Sequence, residues 1–100
     1  MSVLAQTVDP DGRIVVLDEE GWEHILHEHE ELTLYRDEII ATVHAPGHRS
    51  PDPRPGRERY YRRDLGPSRW LFAVVNFNET PARIVTAYGN RKDPPGWTTT

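Results

Sequence analysis

Residues 58–88 read ERYYRRDLGPSRWLFAVVNFNETPARIVTAY, and this stretch decides the fold. It contains three segments of strand-like composition, Glu58–Arg63, Arg69–Phe77 and Ala82–Tyr88, separated by two short segments rich in turn-forming residues. The middle segment is almost continuously apolar, which is typical of a central strand packed on both faces. Because consecutive strands joined by short turns usually pair with each other, the sequence predicts a three-stranded antiparallel β-meander.

The residues at the start of the chain predict a short hairpin. The turn-forming sequence Asp9–Gly12 separates two strand candidates, Val3–Thr7 and Arg13–Leu17. Two such runs around a tight turn are typical of antiparallel strands.

Two helices are predicted over residues 19–45. Asp18 can accept backbone N–H groups at the start of the first helix, whose first turn is acidic. At about 100° per residue, its apolar face gathers Trp22, Ile25, His29 and Leu32. Thr33 can cap a second helix that runs to about Ala45, where a Pro-Gly pair ends it. We therefore expect His29 to lie on a helix face that packs against the sheet.

The remaining segments predict irregular structure. Residues 46–57 contain four prolines and two glycines, which predict a loop. Residues 89–100 predict an irregular tail in which Trp97 folds back onto the body. With 100 residues there is room for one hydrophobic core. The sequence thus predicts a single α+β domain, residues 1–100, with an N-terminal hairpin and two helices packed on an antiparallel β-meander.

Charge is distributed unevenly along the chain. The net charge is −4, but residues 1–50 carry three basic and eleven acidic groups, whereas residues 54–92 carry nine basic and three acidic groups. This asymmetry predicts a basic working surface and an acidic surface elsewhere. An ordinary mixed surface is the alternative.

Several functional classes are excluded or disfavoured by composition. The chain has no cysteine, which excludes disulfides and thiolate chemistry. Its first residues lack the pattern of a signal peptide, and its longest apolar run, Trp70–Val75, is too short to span a bilayer. We therefore expect a cytoplasmic protein without a membrane partner. The five histidines do not show the spacing of a metal site, and we expect neither a metal nor another cofactor.

Four motifs follow one another in a characteristic order. A helix with a W-x-H-I-like start and a later histidine precedes an arginine- and tyrosine-rich strand, an apolar strand, and a strand of the V-V-T-A-Y type followed by basic residues. In this sequence the motifs are Trp22–Ile25 with His29, Arg57–Arg62, Trp70–Phe77, and Ile84–Tyr88 with Arg91 and Lys92. This order resembles small phage- and toxin-associated domains of the barnase–EndoU–colicin–RelE class of bacterial ribonucleases. The likeness covers roughly residues 20–93, and Glu30 replaces a proline that usually follows the second histidine.

The resemblance implies a RelE-like fold and metal-independent RNA cleavage, in which the 2′-oxygen attacks the adjacent phosphate. Such chemistry needs groups that carry protons and cations that stabilise the growing negative charge. The candidate catalytic residues are His29, His24, Arg59, Thr86 and Tyr88. The candidate RNA-binding residues are Arg57, Tyr60, Arg62, Arg63, Arg91 and Lys92.

Each candidate has a structural alternative. His29 could be a core histidine, the arginines could protect an edge strand from aggregation, and Thr86 could simply favour a strand. Strand alternation places Tyr60 and Arg62 on one face and Arg59, Tyr61 and Arg63 on the other. The sequence leaves open which face meets the helices.

Three functions fit this pattern. The first is an endoribonuclease that acts as the toxin of a toxin–antitoxin pair, with RNA (tRNA or mRNA) and a cognate antitoxin as partners. The second is a non-catalytic module of the same fold that binds RNA or a protein. The third is a small enzyme with a different substrate, because one fold supports many chemistries.

Overall fold

The computed structural model describes residues 2–98 and contains six strands and two α-helices within that range. In chain order they are β1 Val3–Val8, β2 Ile14–Asp18, α1 Glu19–Glu28, α2 Arg36–His44, β3 His48–Pro51, β4 Arg57–Arg63, β5 Trp70–Asn76 and β6 Ala82–Asn90. A 3₁₀ turn, Glu30–Leu32, connects the two helices. Within residues 2–98, neither helix has the length and apolar character needed to cross a membrane.

The strands form one mixed sheet with the order β1-β2-β6-β5-β4-β3. The predicted α+β class, the hairpin and the antiparallel meander β4-β5-β6 are confirmed. The sheet is larger than predicted, because β2 pairs with β6 in parallel at Val15–Ala82 and Val16–Arg83. This short parallel contact joins the hairpin to the meander in one mixed sheet, a connection that the sequence pattern did not predict.

The helices begin and end at different residues from those predicted. α1 ends at Glu28 because His29 leaves the helical conformation, with φ −141° and ψ 64°. The hydroxyl of Thr33 donates to the carbonyl of Glu30 at 2.6 Å and does not cap α2, which begins at Arg36 without a side-chain cap. The 3₁₀ turn replaces the last predicted helical turn and still buries Leu32 completely.

Two segments predicted as irregular contain strand structure. Within residues 46–57, β3 pairs with β4 at the sheet edge, and its proline occupies the last position, where no ladder N–H is needed. β6 continues to Asn90, so the irregular tail starts after the predicted residue 89. Trp97 folds back as predicted, with its ring centroid 4.9 Å from that of Trp70.

The two faces of the sheet carry different clusters. The helix face packs against both helices and includes Tyr60, while the opposite face carries Tyr61, Trp70, Phe72 and Val74. β5 is therefore buried on both sides, as its apolar sequence predicts. We call the second surface the cleft face, because it borders an open cleft of the molecule. Strand alternation places Arg57 and Arg59 on this face beside Tyr61.

Candidate functional site

An open cleft of about 600 Å³ lies where α1, the β3–β4 loop and the cleft face meet. α1 lies beside β6 because β2 pairs with only two residues of that strand, which leaves the rest of its edge open. Residues distant in sequence therefore line one concavity: Glu20, Gly21, His24, Asp52, Pro53, Arg54, Arg57, Arg59, Val74, Arg83, Val85, Thr86 and Tyr88.

Five of the predicted site residues meet in this cleft. They are His24 from α1, Arg57 and Arg59 from β4, and Thr86 and Tyr88 from β6. Histidine, arginine and hydroxyl side chains from three elements thus face one cavity. Such a set can move protons and bind a phosphate.

His29 lies outside the lining of the cleft. Its ring stacks on Tyr88 with a centroid distance of 5.2 Å and an interplanar angle of 22°. Its Nδ1 atom lies 3.5 Å from a carboxylate oxygen of Glu31. Because α1 ends at Glu28, the helical periodicity that placed His29 on the packed helix face does not extend to it. His29 therefore packs against a residue of the cleft without lining the cleft itself.

The other predicted RNA-binding residues lie away from the cleft. Tyr60 is fully buried on the helix face, so the prediction that it contacts RNA is wrong. Arg62 shares that face by strand alternation. The guanidinium carbon of Arg63 lies 5.6 Å from the ring centroid of Trp70. Arg91 and Lys92 are exposed just beyond β6, and Lys92 lines a second, smaller cavity.

Asp52 fixes the orientation of Arg59. One carboxylate oxygen of Asp52 accepts a 2.8 Å hydrogen bond from Nε of Arg59, and the other accepts a 2.9 Å bond from the backbone N–H of Arg54. Burial opposes ionisation of Asp52, but these two hydrogen bonds together with the positive charges of Arg59 and Arg57 outweigh it and lower its pKa. Asp52 holds Arg59 through Nε alone, which leaves the terminal nitrogens of the guanidinium outside this ion pair.

The cleft carries net positive charge from its arginines. Arg83 is committed to Asp18, to which it donates two hydrogen bonds of 3.0 Å. Within residues 2–98, Arg54 and Arg57 form no salt bridge, so both are available to a ligand. The sequence prediction missed Arg54, Arg83 and Asp52 as lining residues. The density of arginines after residue 53 was the signal for Arg54, whereas Arg83 and Asp52 carried no local signal.

Tyr88 lines the cleft, and the pKa of its phenol is shifted from the ordinary value. Burial raises its pKa, and the positive charge of Arg59 opposes this effect only in part. A phenol is protonated at neutral pH even at its ordinary pKa of about 10, and the raised pKa of Tyr88 acts in the same direction. A protonated hydroxyl beside a phosphate site can donate a hydrogen bond or a proton.

Comparison with known proteins gives no assignment. No family model matches the chain, and no curated protein or solved structure matches it. Within the described residues, no group of three or more histidine, aspartate or glutamate side chains could hold a metal ion. Any functional conclusion therefore depends on the cleft and its side chains.

Proposed function

We propose that the protein is a metal-independent endoribonuclease that binds RNA in the cleft. The observation that carries this proposal is the meeting of His24, Arg57, Arg59, Thr86 and Tyr88 around one concavity. Phosphodiester cleavage requires cations that stabilise the negative phosphate oxygens and side chains that accept and donate protons, and this cleft contains both kinds of group. The sequence resemblance supports the same conclusion.

The proposed reaction is a transesterification in which the phosphorus passes from the 5′-oxygen of the next nucleotide to the adjacent 2′-oxygen. The 2′-oxygen forms a bond to phosphorus, the bond to the 5′-oxygen breaks, and a 2′,3′-cyclic phosphate remains. His24 accepts the 2′ proton, and the phenol of Tyr88 protonates the leaving 5′-oxygen. Arg57 and Arg59 stabilise the charge that accumulates on the equatorial oxygens, and Thr86 donates to one of them.

The test is incubation of purified protein with total RNA and tRNA in excess chelator. We expect cleavage that leaves cyclic-phosphate ends. His24→Gln should reduce the rate about 10²- to 10⁴-fold, which is the range typical of a lost general acid or base. Intact RNA in the presence of folded wild-type protein would overturn the proposal.

Two matched controls make this test specific to the cleft. His27 is exposed on the same helix but does not line the cleft, so His27→Gln should leave the rate unchanged. Arg62 lies on the same strand as Arg57 but on the opposite face. We therefore expect Arg57→Gln to lower both the rate and the salt dependence of RNA binding, with a slope change of about 1, and Arg62→Gln to change neither.

A second candidate is a non-catalytic RNA-binding module. The observation that favours it is the position of His29 outside the cleft lining, because the cleft is then lined by one of the two predicted catalytic histidines. Salt-sensitive RNA binding without any cleavage would support this candidate.

The proposal also includes a role as the toxin of a toxin–antitoxin pair, which the resemblance suggests. An antitoxin would cover the basic cleft with an acidic segment. Expression of the wild type should then stop growth, whereas expression of His24→Gln should not. Growth arrest by both proteins would contradict this role and leave the ribonuclease proposal to the cleavage assay.

A further inference from the structure

The N-terminal hairpin carries most of the large apolar side chains that are exposed in the molecule. Within residues 2–98 five such side chains are exposed, and four of them belong to β1 and the first residue of β2: Val3, Leu4, Val8 and Ile14. Each of these four is between 36% and 52% exposed. Single exposed apolar side chains are ordinary, but a group of four on one hairpin indicates an interaction surface.

The same hairpin provides an unprotected edge of the sheet. β1 is the first strand in the order of the sheet, so one side of its backbone has no neighbouring strand within the described residues. Its sequence, VLAQTV, contains no charged residue, proline or glycine, and its pairing with β2 is regular over residues 5–8. The opposite edge strand, β3, contains Arg49 and Pro51, which are residues that commonly prevent strand pairing. β1 is therefore the edge at which another strand can be added.

The backbone of β1 directs hydrogen-bonding groups outward at Gln6 and Val8. The backbone N–H of Asp9 donates to the carbonyl of Arg13, and from this pair onward the residues of β1 point alternately toward β2 and away from it. The carbonyl of Val8 is among those that point away, and it lies 2.9 Å from Nδ1 of His44 in α2. A carbonyl oxygen has two lone pairs, so this contact leaves room for a second hydrogen bond.

We propose that β1 pairs with β1 of a second copy of this chain, so that two sheets join across a two-fold axis at Gln6. In this antiparallel arrangement Gln6 faces its counterpart in the other copy, and Val8 lies opposite Leu4 of the other copy. Both copies use the same surface, so the contact closes as a dimer whose outer edges are the two β3 strands. The inference goes beyond the proposed reaction and is independent of it, because no residue of β1 lines the cleft.

The residues in and around β1 favour a second copy over a different protein. The side chain at the axis is an amide, which has both donors and an acceptor and can therefore hydrogen-bond to an identical group. Exposed Glu19 lies at one end of β1, where its backbone N–H donates to the carbonyl of Ser2, and exposed His44 lies at the other end. Antiparallel pairing brings the end with Glu19 of each copy to the end with His44 of the other. This arrangement places a carboxylate near an imidazole twice in each dimer, and a carboxylate attracts a protonated imidazole.

A single cysteine tests the position of the axis, because the chain contains no cysteine of its own. Directly opposite residues of antiparallel strands have Cα atoms about 4.5–5.5 Å apart, a separation that a disulfide can bridge. Gln6→Cys should therefore form a covalent dimer on mild oxidation of dilute protein. Val8→Cys is the matched control, because its two copies would be offset by about 13 Å along the strands and should not cross-link. Equal cross-linking of both variants, or none in either, would overturn the proposal.

Sedimentation equilibrium tests the association without a cross-link. We expect a wild-type dimer that dissociates on dilution, because the pairing of two short strands buries less surface than a standard interface. Gln6→Lys and Gln6→Glu should each remain monomeric, since like charges would face each other, and an equimolar mixture of the two should dimerise again. Leu34→Lys changes the fifth exposed apolar side chain, which lies outside the hairpin, and should leave the dimer intact.

The other outcomes of the sedimentation experiment contradict the two-fold dimer. A wild type that stays monomeric at millimolar concentration would overturn it, and so would species that grow beyond the dimer. If the mixture of Gln6→Lys and Gln6→Glu stays monomeric, the two glutamines do not face each other and the proposed pairing is wrong. An equal loss of association in Leu34→Lys would show that general apolar contact, and not β1, joins the copies.

Discussion

Tyr60 and Tyr61 are neighbours in the sequence but contact different parts of the molecule. The two tyrosines are adjacent in β4, and the pleat directs them to opposite faces of the sheet. The hydroxyl of Tyr60 lies 2.7 Å from a carboxylate oxygen of Asp9 and 2.9 Å from one of Glu58. These groups tie the hairpin turn to the opposite half of the sheet. The hydroxyl of Tyr61 lies 3.0 Å from that of Ser50.

The difference predicts unequal effects of removing each hydroxyl. Tyr60→Phe leaves two carboxylates, one of them buried, without this partner, so we expect the free energy of unfolding to fall by about 1–3 kcal/mol. Tyr61→Phe should lower it by less than about 1 kcal/mol, because its partner is another hydroxyl. Urea unfolding of both variants is the measurement. A Tyr60→Phe protein as stable as the wild type would show that the contact with Asp9 does not stabilise the fold.

At the residue scale, sequence alternation predicted which side chains share a face but not which face is which. Tyr60 meets the helices because its hydroxyl has a partner at Asp9, 51 positions away, and no local pattern encodes that contact. The predicted position of His29 on the helix face differs from the structure for another reason. Its periodicity was correct for a continuous helix, but the backbone leaves the helix at that residue.

At the scale of elements, the position of α1 depends on Gly21. A Cβ atom at this position would lie 2.7 Å from the carbonyl oxygen of Ile84 in β6, which is closer than real Cβ contacts allow. The absence of a side chain lets α1 pack directly against the backbone of β6. This close packing holds His24 at the margin of the cleft, one helical turn further on.

Gly21→Ala should therefore destabilise the protein even though alanine is the better helix former. An exposed glycine-to-alanine change in a helix stabilises it by about 1 kcal/mol, whereas a methyl group forced against backbone costs about 1–3 kcal/mol. We expect the net free energy of unfolding to fall, by urea titration. Glu23→Ala, an exposed position of the same helix, is the control and should have no destabilising effect. A stabilised Gly21→Ala variant would show that α1 can move away from β6 without cost.

Element order was predictable from sequence, but contacts between distant elements were not. The hairpin and the meander follow from local alternation and turn residues, and both were identified. The parallel contact between β2 and β6 involves two residues of each strand separated by more than sixty positions, and no short-range pattern signals it. β3 escaped prediction because its four residues are polar and end in proline, which is the composition of a loop.

At the scale of the whole molecule, the uneven charge of the sequence becomes one basic cleft and a set of ion pairs in which buried carboxylates meet partly exposed arginines. Asp9 contacts Arg13 and Arg49, and Asp18 is held by two hydrogen bonds from Arg83. Arg83 of the basic C-terminal half therefore neutralises Asp18 of the N-terminal half, whereas Arg13 and Arg49, which pair with Asp9, belong to the N-terminal half themselves. Composition predicted the existence of a basic surface. It could not predict which arginines would be paired internally and which would face a ligand.

These ion pairs predict that the fold is lost in acid. Burial opposes ionisation of Asp9, but hydrogen bonds from Arg13 and Tyr60 outweigh it, and the pKa of Asp9 lies below its ordinary value of 3.8. The pKa of Asp18 and of Glu58 is lowered against burial in the same way, by Arg83 and by Arg13 respectively. A lowered pKa in the folded state means that the folded protein binds fewer protons than the unfolded chain. The stabilisation is therefore complete above the ordinary pKa and disappears as the pH falls through the folded value.

We expect the urea midpoint to stay constant between about pH 7 and pH 5 as far as these carboxylates are concerned, and to fall steeply below about pH 4. The steep phase reports these carboxylates, whose pKa lies below the ordinary value in the folded state. Asp9→Asn removes one of these titrating groups. It should lower the midpoint at pH 7 but give a shallower loss between about pH 4 and pH 2. The same acid slope in Asp9→Asn and wild type would mean that the contacts between Asp9, Arg13 and Tyr60 do not couple folding to pH, and that acid destabilisation arises from general repulsion among positive charges.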